Sequence, residues 1–95
     1  MTYAPKIILH LLVSDPDAIG PFVEQCLLDG VSLISIVGEN AREVEDLIDG
    51  LVLGDGSDAS RFVVTTEHHN ETVDAVMEFA AHFGSYSDNV QLVRL

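Results

Sequence analysis

The segment TTEHHN, residues 65–70, brings together the side chains best suited to chemistry in this chain. Glu67 offers a carboxylate, and His68 and His69 offer imidazoles that can act as bases or bind a divalent metal. If the backbone is extended through residue 69, successive side chains point to opposite faces of a sheet, so the two histidines could not both bind one ion. We therefore treat them as separate candidates.

Oxygen-bearing side chains also follow the first two apolar runs of the chain. Ser14 and Asp15 come after the first run, and Glu39 and Asn40 come at the end of the second. If both runs are parallel strands, their carboxyl ends meet at one rim of the sheet, where open α/β sheets bind ligands. The candidates for a ligand site at this rim are Ser14, Asp15, Glu39, Asn40, Thr66, Glu67, His68 and His69.

A divalent-cation site is one alternative for this rim. Asp15, Glu39, Glu67 and one of the two histidines would supply hard oxygen donors and an imidazole. The spacing matches no established zinc signature, and polar residues crowd this rim in most such folds as strand ends and helix caps. Whether a metal binds stays open at this point, no cofactor is expected and no catalytic residue is assigned.

Three other groups receive structural interpretations. His10 lies inside an apolar run, where a core or interface imidazole is expected rather than a catalytic base. Asp74, Glu78 and His82 are spaced by four residues, which predicts a solvated helix face. Cys26 falls on the apolar side of a predicted helix and is interpreted as a small buried hydrophobe.

Four β-rich runs alternate with three helical patterns. Near-continuous apolar runs of this length are typical of strands buried on both faces. The order β-α-β-α-β-α-β, with a helix in every connection, predicts one three-layer α/β domain over residues 1–95 with a four-stranded parallel sheet. The strands are predicted at KIILHLLV (6–13), VSLISIVGE (31–39), RFVVTT (61–66) and VQLVRL (90–95).

The helix ends are predicted from capping residues. The first helix begins near Asp15 and ends at Gly30, the second is capped by Asn40, and the third runs from a cap at Asn70 to Gly84. The second helix should bury one apolar stripe, formed by Val44, Leu47, Ile48 and Leu51.

The strand order predicted from these connections is 2-1-3-4. Right-handed crossovers and the more apolar first strand favour it, with the first helix on one face and the other two on the opposite face. One helix can hardly cover four strands, so half of one face would be bare. The last strand would also be an edge with little charge to prevent pairing. The sequence therefore predicts a homodimer joined through the fourth strand, the bare half-face, or both.

The charge balance limits the partners that the protein can bind. The 95 residues include 4 Lys and Arg against 16 Asp and Glu, for a net charge of −12. This charge repels phosphate backbones and anionic lipid, so we expect neither nucleic-acid nor membrane binding. A basic protein partner fits, as does an acidic surface that serves only solubility, and a mimic of nucleic acid would need carboxylates arrayed on one face.

The compartment is predicted from the same composition. No apolar run reaches the roughly 18–20 residues of a membrane span. The lone cysteine, Cys26, cannot form an internal disulfide and fits a reducing compartment. We therefore expect a cytoplasmic protein.

The segment RFVVTTEHHNETVDAVMEFA, together with the short VQLVRL strand, resembles small bacterial α/β proteins of unknown function, including some carried on mobile gene cassettes. This resemblance covers about a third of the chain and implies an unassigned function. The topology also resembles flavodoxin-like and receiver domains. Receiver domains have paired acids after strand one, a phosphorylatable Asp after strand three and a late Lys. Here Ser14 and Asp15 stand for the pair, Thr65 or Thr66 stands for the acceptor and no late Lys exists, so phosphotransfer is not expected.

Taken together, these patterns favour a small dimeric binding or regulatory module without catalytic activity. Such a module would use its acidic surface or its strand-end rim for a partner. The alternative is a small enzyme or divalent-metal-binding protein with its site at the carboxyl ends of strands one to three.

Overall fold

The computed structural model describes residues 3–11, 16–54, 56, 62–83 and 89–95. All three strand pairs are parallel, so the predicted α/β class and four-stranded parallel sheet are confirmed. Within these described ranges, no helix is long and apolar enough to cross a membrane. The elements are β1 (Lys6–His10), a 3-10 turn (Pro16–Ala18), α1 (Ile19–Asp29), β2 (Leu33–Val37), α2 (Ala41–Leu53), β3 (Val64–His68), α3 (Val73–Ala81) and β4 (Val90–Val93).

The strands lie in the order β3-β2-β1-β4, so the predicted order 2-1-3-4 is wrong. All five residues of β2 are buried, whereas β3 is half-buried over its first four residues. The physical reason is composition: LISIV can be covered on both faces at the centre of a sheet, while the threonines and Glu67 of VTTEH suit an edge. Both β3 and β4 are therefore edge strands.

Helices α1 and α2 cover one face of the sheet, and α3 covers the other. The predicted placement of α1 alone on its face is wrong, because β1, β2 and β3 follow one another toward the same edge, and successive right-handed crossovers put both helices on one side. The return from β3 to β4 puts α3 on the opposite side. The α1–α2 core includes Ile7, Leu9, Phe22, Val23, Ile34, Ile36 and Ile48, and the α3 core is built from Ile8, Leu33, Val37, Val76 and Ala80.

Helix α3 runs antiparallel to the strands. The buried Lys6 at the start of β1 donates from Nζ to the carbonyl oxygen of Ala81 at the end of α3, over 3.5 Å. A cation is favourable at that position because the carboxyl end of a helix carries partial negative charge. The beginning of α3 therefore lies near the carboxyl ends of the strands, where β3 leads into it.

Several predicted boundaries are corrected, and β2 and β4 are shorter than predicted, at Leu33–Val37 and Val90–Val93 rather than 31–39 and 90–95. β1 ends at His10 rather than at residue 13, and Leu12 and Val13 lie outside the described residues. β3 continues past Thr66 to His68, which leaves Asn70 in the turn rather than at the cap. The cap of α3 is Thr72, whose Oγ1 accepts from the amide of Ala75 at 3.1 Å. The predicted ends at Asp15 and Gly84, and most of the loop GDGSDAS, lie outside the described residues.

The inner side of α2 also differs from the predicted stripe. Leu47 is exposed, whereas Ala41 and Val52 are buried together with the expected Val44 and Ile48. The outer surface of α2 therefore combines an apolar side chain with carboxylates.

Cys26 lies at full burial on the inner side of α1. Burial raises the pKa of its thiol to about 12, and the charge of Asp29 contributes in the same direction. The side chain therefore acts as a small hydrophobe, as the sequence predicted.

Candidate functional site

A continuous chain of hydrogen bonds joins four side chains on the α3 side of β2 and β3. Thr66 Oγ1 lies 2.9 Å from Ser35 Oγ and 2.9 Å from His68 Nε2. On the other side of the imidazole ring, His68 Nδ1 is bonded to a carboxylate oxygen of Glu71. We call Ser35, Thr66, His68 and Glu71 the β2–β3 polar chain.

Strand geometry explains how these residues meet. Thr66 and His68 are two residues apart in β3, so they lie on the same face. Ser35 is the register partner of Thr66 on β2, and directly opposed side chains of neighbouring strands come within contact distance. Glu71 lies in the short turn between His68 and α3, close enough in sequence to reach back to the ring.

Hydrogen-bond chemistry fixes which groups donate and which accept along the β2–β3 polar chain, and its two ends differ in burial. A carboxylate only accepts, so His68 Nδ1 donates to Glu71, and in the neutral imidazole Nε2 then accepts from the hydroxyl of Thr66. Thr66 in turn accepts from Ser35, whose side chain is fully buried. His68 is 8% exposed, and the Glu71 side chain is 49% exposed. Every polar group is thereby satisfied, from a buried end at Ser35 to a solvated end at Glu71.

Aromatic side chains of α3 and of the residues just after it form an apolar wall beside His68. The ring centroids of Phe79 and His68 are 5.1 Å apart at an interplanar angle of 58°. Phe83 extends the wall, with its centroid 5.9 Å from that of Phe79. Phe79 itself is partly exposed, so solvent borders the wall on one side.

The opposite face of β3 carries a separate set of polar contacts. His69 Nδ1 lies 2.8 Å from a carboxylate oxygen of Glu67, and Arg42 on α2 lies 3.9 Å from the other oxygen. The hydrogen bond from His69 lowers the pKa of Glu67 below its ordinary value, and the charges of His69 and Arg42 lower it further. His68 and His69 therefore have partners on opposite faces of β3, although β3 ends at His68 and His69 lies in the turn that follows.

Carboxylates crowd the surface between α2 and β3. Burial raises the pKa of the Glu45 carboxyl above its ordinary value, and the negative charges of Asp49, Glu67 and Asp46 raise it further, against a hydrogen bond from Thr65 that lowers it. The single hydroxyl proton of Thr65 is shared with Asp49, whose carboxylate oxygen lies 2.6 Å from Thr65 Oγ1. We call Glu45, Asp46, Asp49 and Glu67 the α2–β3 carboxylate group.

The structure separates the residues that the sequence grouped at one rim. Thr66 joins His68 on the α3 face, and Glu67 joins His69 on the α2 face. Glu39 is exposed, and Asn40 lies just before α2 without capping it, with a buried Oδ1 that has no hydrogen-bond partner among the described residues. The remaining candidates, Ser14 and Asp15, lie outside the described residues.

The positions of the predicted ligands bear on the alternative of a divalent-cation site. In the part of the chain that the structure describes, no three or more His, Cys, Asp or Glu side chains are grouped so that they could hold a metal ion. Of the four residues proposed as ligands, Asp15 is outside that part, and the two histidines are on opposite faces. The described residues therefore give a metal site no geometric support.

Sequence reasoning missed two members of the β2–β3 polar chain. Ser35 is the one polar residue inside LISIV, and Glu71 follows His68 by three positions. Each is a weak signal by itself. The contact of Ser35 with Thr66 depends on the pairing of β2 with β3, which the sequence did not predict, and the contact of Glu71 with His68 depends on the continuation of β3 to His68.

Comparison with known proteins gives one family. A family model described as "Domain of unknown function (DUF7684)" matches residues 7–95, which is nearly the whole chain. Searches of the curated proteins and of the solved structures found no match. The match agrees with the expected resemblance to small proteins of unknown function, and the link to mobile gene cassettes stays a prediction.

Proposed function

The chain belongs to the DUF7684 family, a domain of unknown function, and on that premise we propose that it is a small binding or regulatory module for a basic protein partner. The partner docks on the outer surface of α2 and β3. One observation carries this proposal: Glu45, Asp46 and Asp49 of α2 lie beside Glu67 of β3, close enough that the negative charges of the other three add to burial in raising the pKa of Glu45.

Crowded carboxylates favour a cationic partner for an electrostatic reason. α2 contains four acidic residues and one arginine, Arg42, which is largely exposed. Like charges held together repel one another, and lysine or arginine side chains of a partner would relieve that repulsion. The exposed Leu47 on the same helix offers an apolar contact within the charged surface. A basic segment with an apolar anchor fits this combination best.

Removing charge from the proposed surface should weaken binding of a basic probe. We expect a fluorescent oligolysine peptide to bind the wild-type protein at low salt, and the double variant Asp46→Asn/Asp49→Asn to bind it roughly tenfold more weakly, because two surface ion pairs contribute up to about 1 kcal/mol each. Fluorescence anisotropy at several salt concentrations measures both effects.

The matched control removes the same charge from another face. Asp74→Asn/Glu78→Gln on α3 also raises the net charge by two, and both positions are exposed. An equal loss of affinity in the two double variants would mean that binding follows net charge rather than this surface. Absence of binding to the wild-type protein would equally contradict the proposal.

The module is further proposed to be a homodimer joined at β4. β4 is an edge strand, so a row of its backbone N–H and C=O groups has no strand partner in the sheet formed by the described residues. Residues 89–95, NVQLVRL, contain no acid, although the chain has 16. Leu92 is 41% exposed on this edge strand. Antiparallel pairing of two β4 strands about a twofold axis is self-complementary and brings together the acid-free margins of the two sheets.

A lysine on the β4 edge should dissociate the dimer. Leu92→Lys puts a positive charge on both copies of the paired strand, which is a device that natural edge strands use against pairing. We expect light scattering coupled to gel filtration to give twice the chain mass for wild-type protein at high micromolar concentration and the monomer mass for the variant. Leu28→Lys is the control, because Leu28 is 81% exposed on α1 rather than on the edge strand. A monomeric wild type, or a dimeric Leu92→Lys, would exclude this interface.

A further inference from the structure

We propose that the β2–β3 polar chain is a hydrolytic site for small neutral esters, with Thr66 as the nucleophile. This inference goes beyond the docking function, because it concerns the α3 face and needs no protein partner. It takes up the enzyme alternative that the sequence left open at the carboxyl ends of the strands.

Three of the four side chains, Thr66, His68 and Glu71, have the arrangement required for an activated hydroxyl. A nucleophile must lie within hydrogen-bond distance of a base, and a third group must orient that base. Thr66 Oγ1 is 2.9 Å from His68 Nε2, and Glu71 accepts from Nδ1 on the far side of the ring. The carboxylate holds the tautomer in which Nε2 can accept a proton, and it stabilises the imidazolium that then forms.

Thr66 is the nucleophile rather than Ser35, because Thr66 contacts the imidazole ring and has exposed surface that a substrate can reach. Ser35 has no exposed surface and reaches Thr66, not the imidazole ring. Thr66 is partly exposed and bonds to the ring directly. Ser35 is therefore a positioning residue, whose hydroxyl donates to Thr66 and holds its proton toward His68.

The reaction balances without an additional reagent. Thr66 Oγ1 attacks the ester carbonyl carbon while its proton passes to His68 Nε2. The C–O bond to the alcohol breaks, and the alcohol takes the proton from His68. Water then attacks the acyl-Thr66 ester and gives a proton to His68, and the departing Thr66 oxygen recovers it. The net change is ester plus water to carboxylic acid plus alcohol.

The net charge of the protein and the apolar surface beside the β2–β3 polar chain define the substrate class. The net charge of −12 disfavours anionic esters. Phe79 presents an apolar surface beside His68 and is itself partly exposed. A neutral ester with a short apolar acyl group matches both properties.

The same four residues could instead serve only to satisfy buried polar groups between β2 and β3, and reactivity separates the two roles. We expect the wild-type protein to hydrolyse p-nitrophenyl acetate and butyrate and to form a covalent adduct with an alkyl fluorophosphonate, located at Thr66 by mass spectrometry. Thr66→Val keeps the side-chain shape without the hydroxyl, and His68→Gln removes the base. Each should lower the hydrolysis rate by about 100-fold or more.

Three further variants make the test specific. Thr66→Ser should retain hydrolysis within about tenfold, since it keeps the hydroxyl. Glu71→Gln should lower kcat with little change in KM, and Glu71→Asp should restore part of kcat. His69→Gln should hydrolyse as the wild type does, because His69 lies on the other face and controls for reaction with an exposed imidazole.

Two outcomes would overturn the assignment. One is a wild-type protein that forms no adduct and hydrolyses neither ester faster than the same protein unfolded in urea. The other is hydrolysis that persists in Thr66→Val. The adduct is measured on the unaltered chain, so the test stands even if a variant fails to fold, and neither outcome bears on the binding of oligolysine at α2.

Discussion

Replacing Gly38 with alanine is expected to lower the free energy of unfolding by about 2–5 kcal/mol. Gly38 follows β2 with a φ of +147°, a conformation that side-chain-bearing residues rarely adopt. A Cβ atom there would lie 2.7 Å from Leu11 Cβ. Leu11 cannot easily withdraw, because its amide donates to the carbonyl of Val37 at 2.9 Å and its side chain packs on the α1–α2 core. Backbone strain and the steric clash therefore act together.

Urea unfolding measures this loss of stability, and Gly50→Ala is a control that should change the free energy of unfolding in the opposite direction. Gly50 lies within α2, and a Cβ there would meet no atom of the described residues within 4 Å. Gly50→Ala should stabilise the protein by roughly 0.5–1 kcal/mol, since glycine is the poorer helix former. If the two variants have the same midpoint and slope, the close approach of Gly38 to Leu11 is wrong.

The kinds of element and their sequence order could be predicted because they depend on local pattern. Near-continuous apolar runs separated by turn formers indicate buried strands, and helices between them require parallel pairing. The strand order is a non-local property. Both KIILH and LISIV are apolar enough for the centre of a sheet, and the prediction gave that place to β1 and β3 rather than to β1 and β2. The polar composition of VTTEH was the available signal that β3 is an edge strand.

The candidate site was predicted only where it depends on local pattern rather than on strand order. Alternation was predicted to separate His68 from His69 if the strand reached residue 69, whereas β3 ends at His68 and His69 lies in the turn that follows. Thr66 and His68 share a face because they are two residues apart in β3, which the predicted strand end at Thr66 did not include. Ser35 enters the site only because β2 pairs with β3, which the predicted order excluded. Glu71 enters because β3 extends to His68 and leaves a short turn before α3. Contacts across strands and contacts beyond the predicted strand end were therefore not predictable.

A truncation series at Ile36 should distinguish a central β2 from an edge β2. Ile36 has no exposed surface and belongs to the α1–α2 core. Ile36→Val should cost about 0.5–1.5 kcal/mol and Ile36→Ala about 2–5 kcal/mol, because each removes buried methyl groups and the second leaves a cavity. For a 95-residue chain with a total stability of roughly 5–14 kcal/mol, the larger loss is a substantial fraction.

A truncation on the edge strand β3 gives the comparison for Ile36→Ala on the central strand β2. Val64 is half-buried on the edge strand, so Val64→Ala should cost about 1 kcal/mol, well below Ile36→Ala. Leu28→Ala, at a largely exposed position on α1, should change stability by about 0.5 kcal/mol or less. Urea midpoints at an unchanged slope would measure all the variants. If Ile36→Ala cost no more than Val64→Ala, β2 would not lie at the centre of the sheet, and the contact of Ser35 with Thr66 would lose its structural basis.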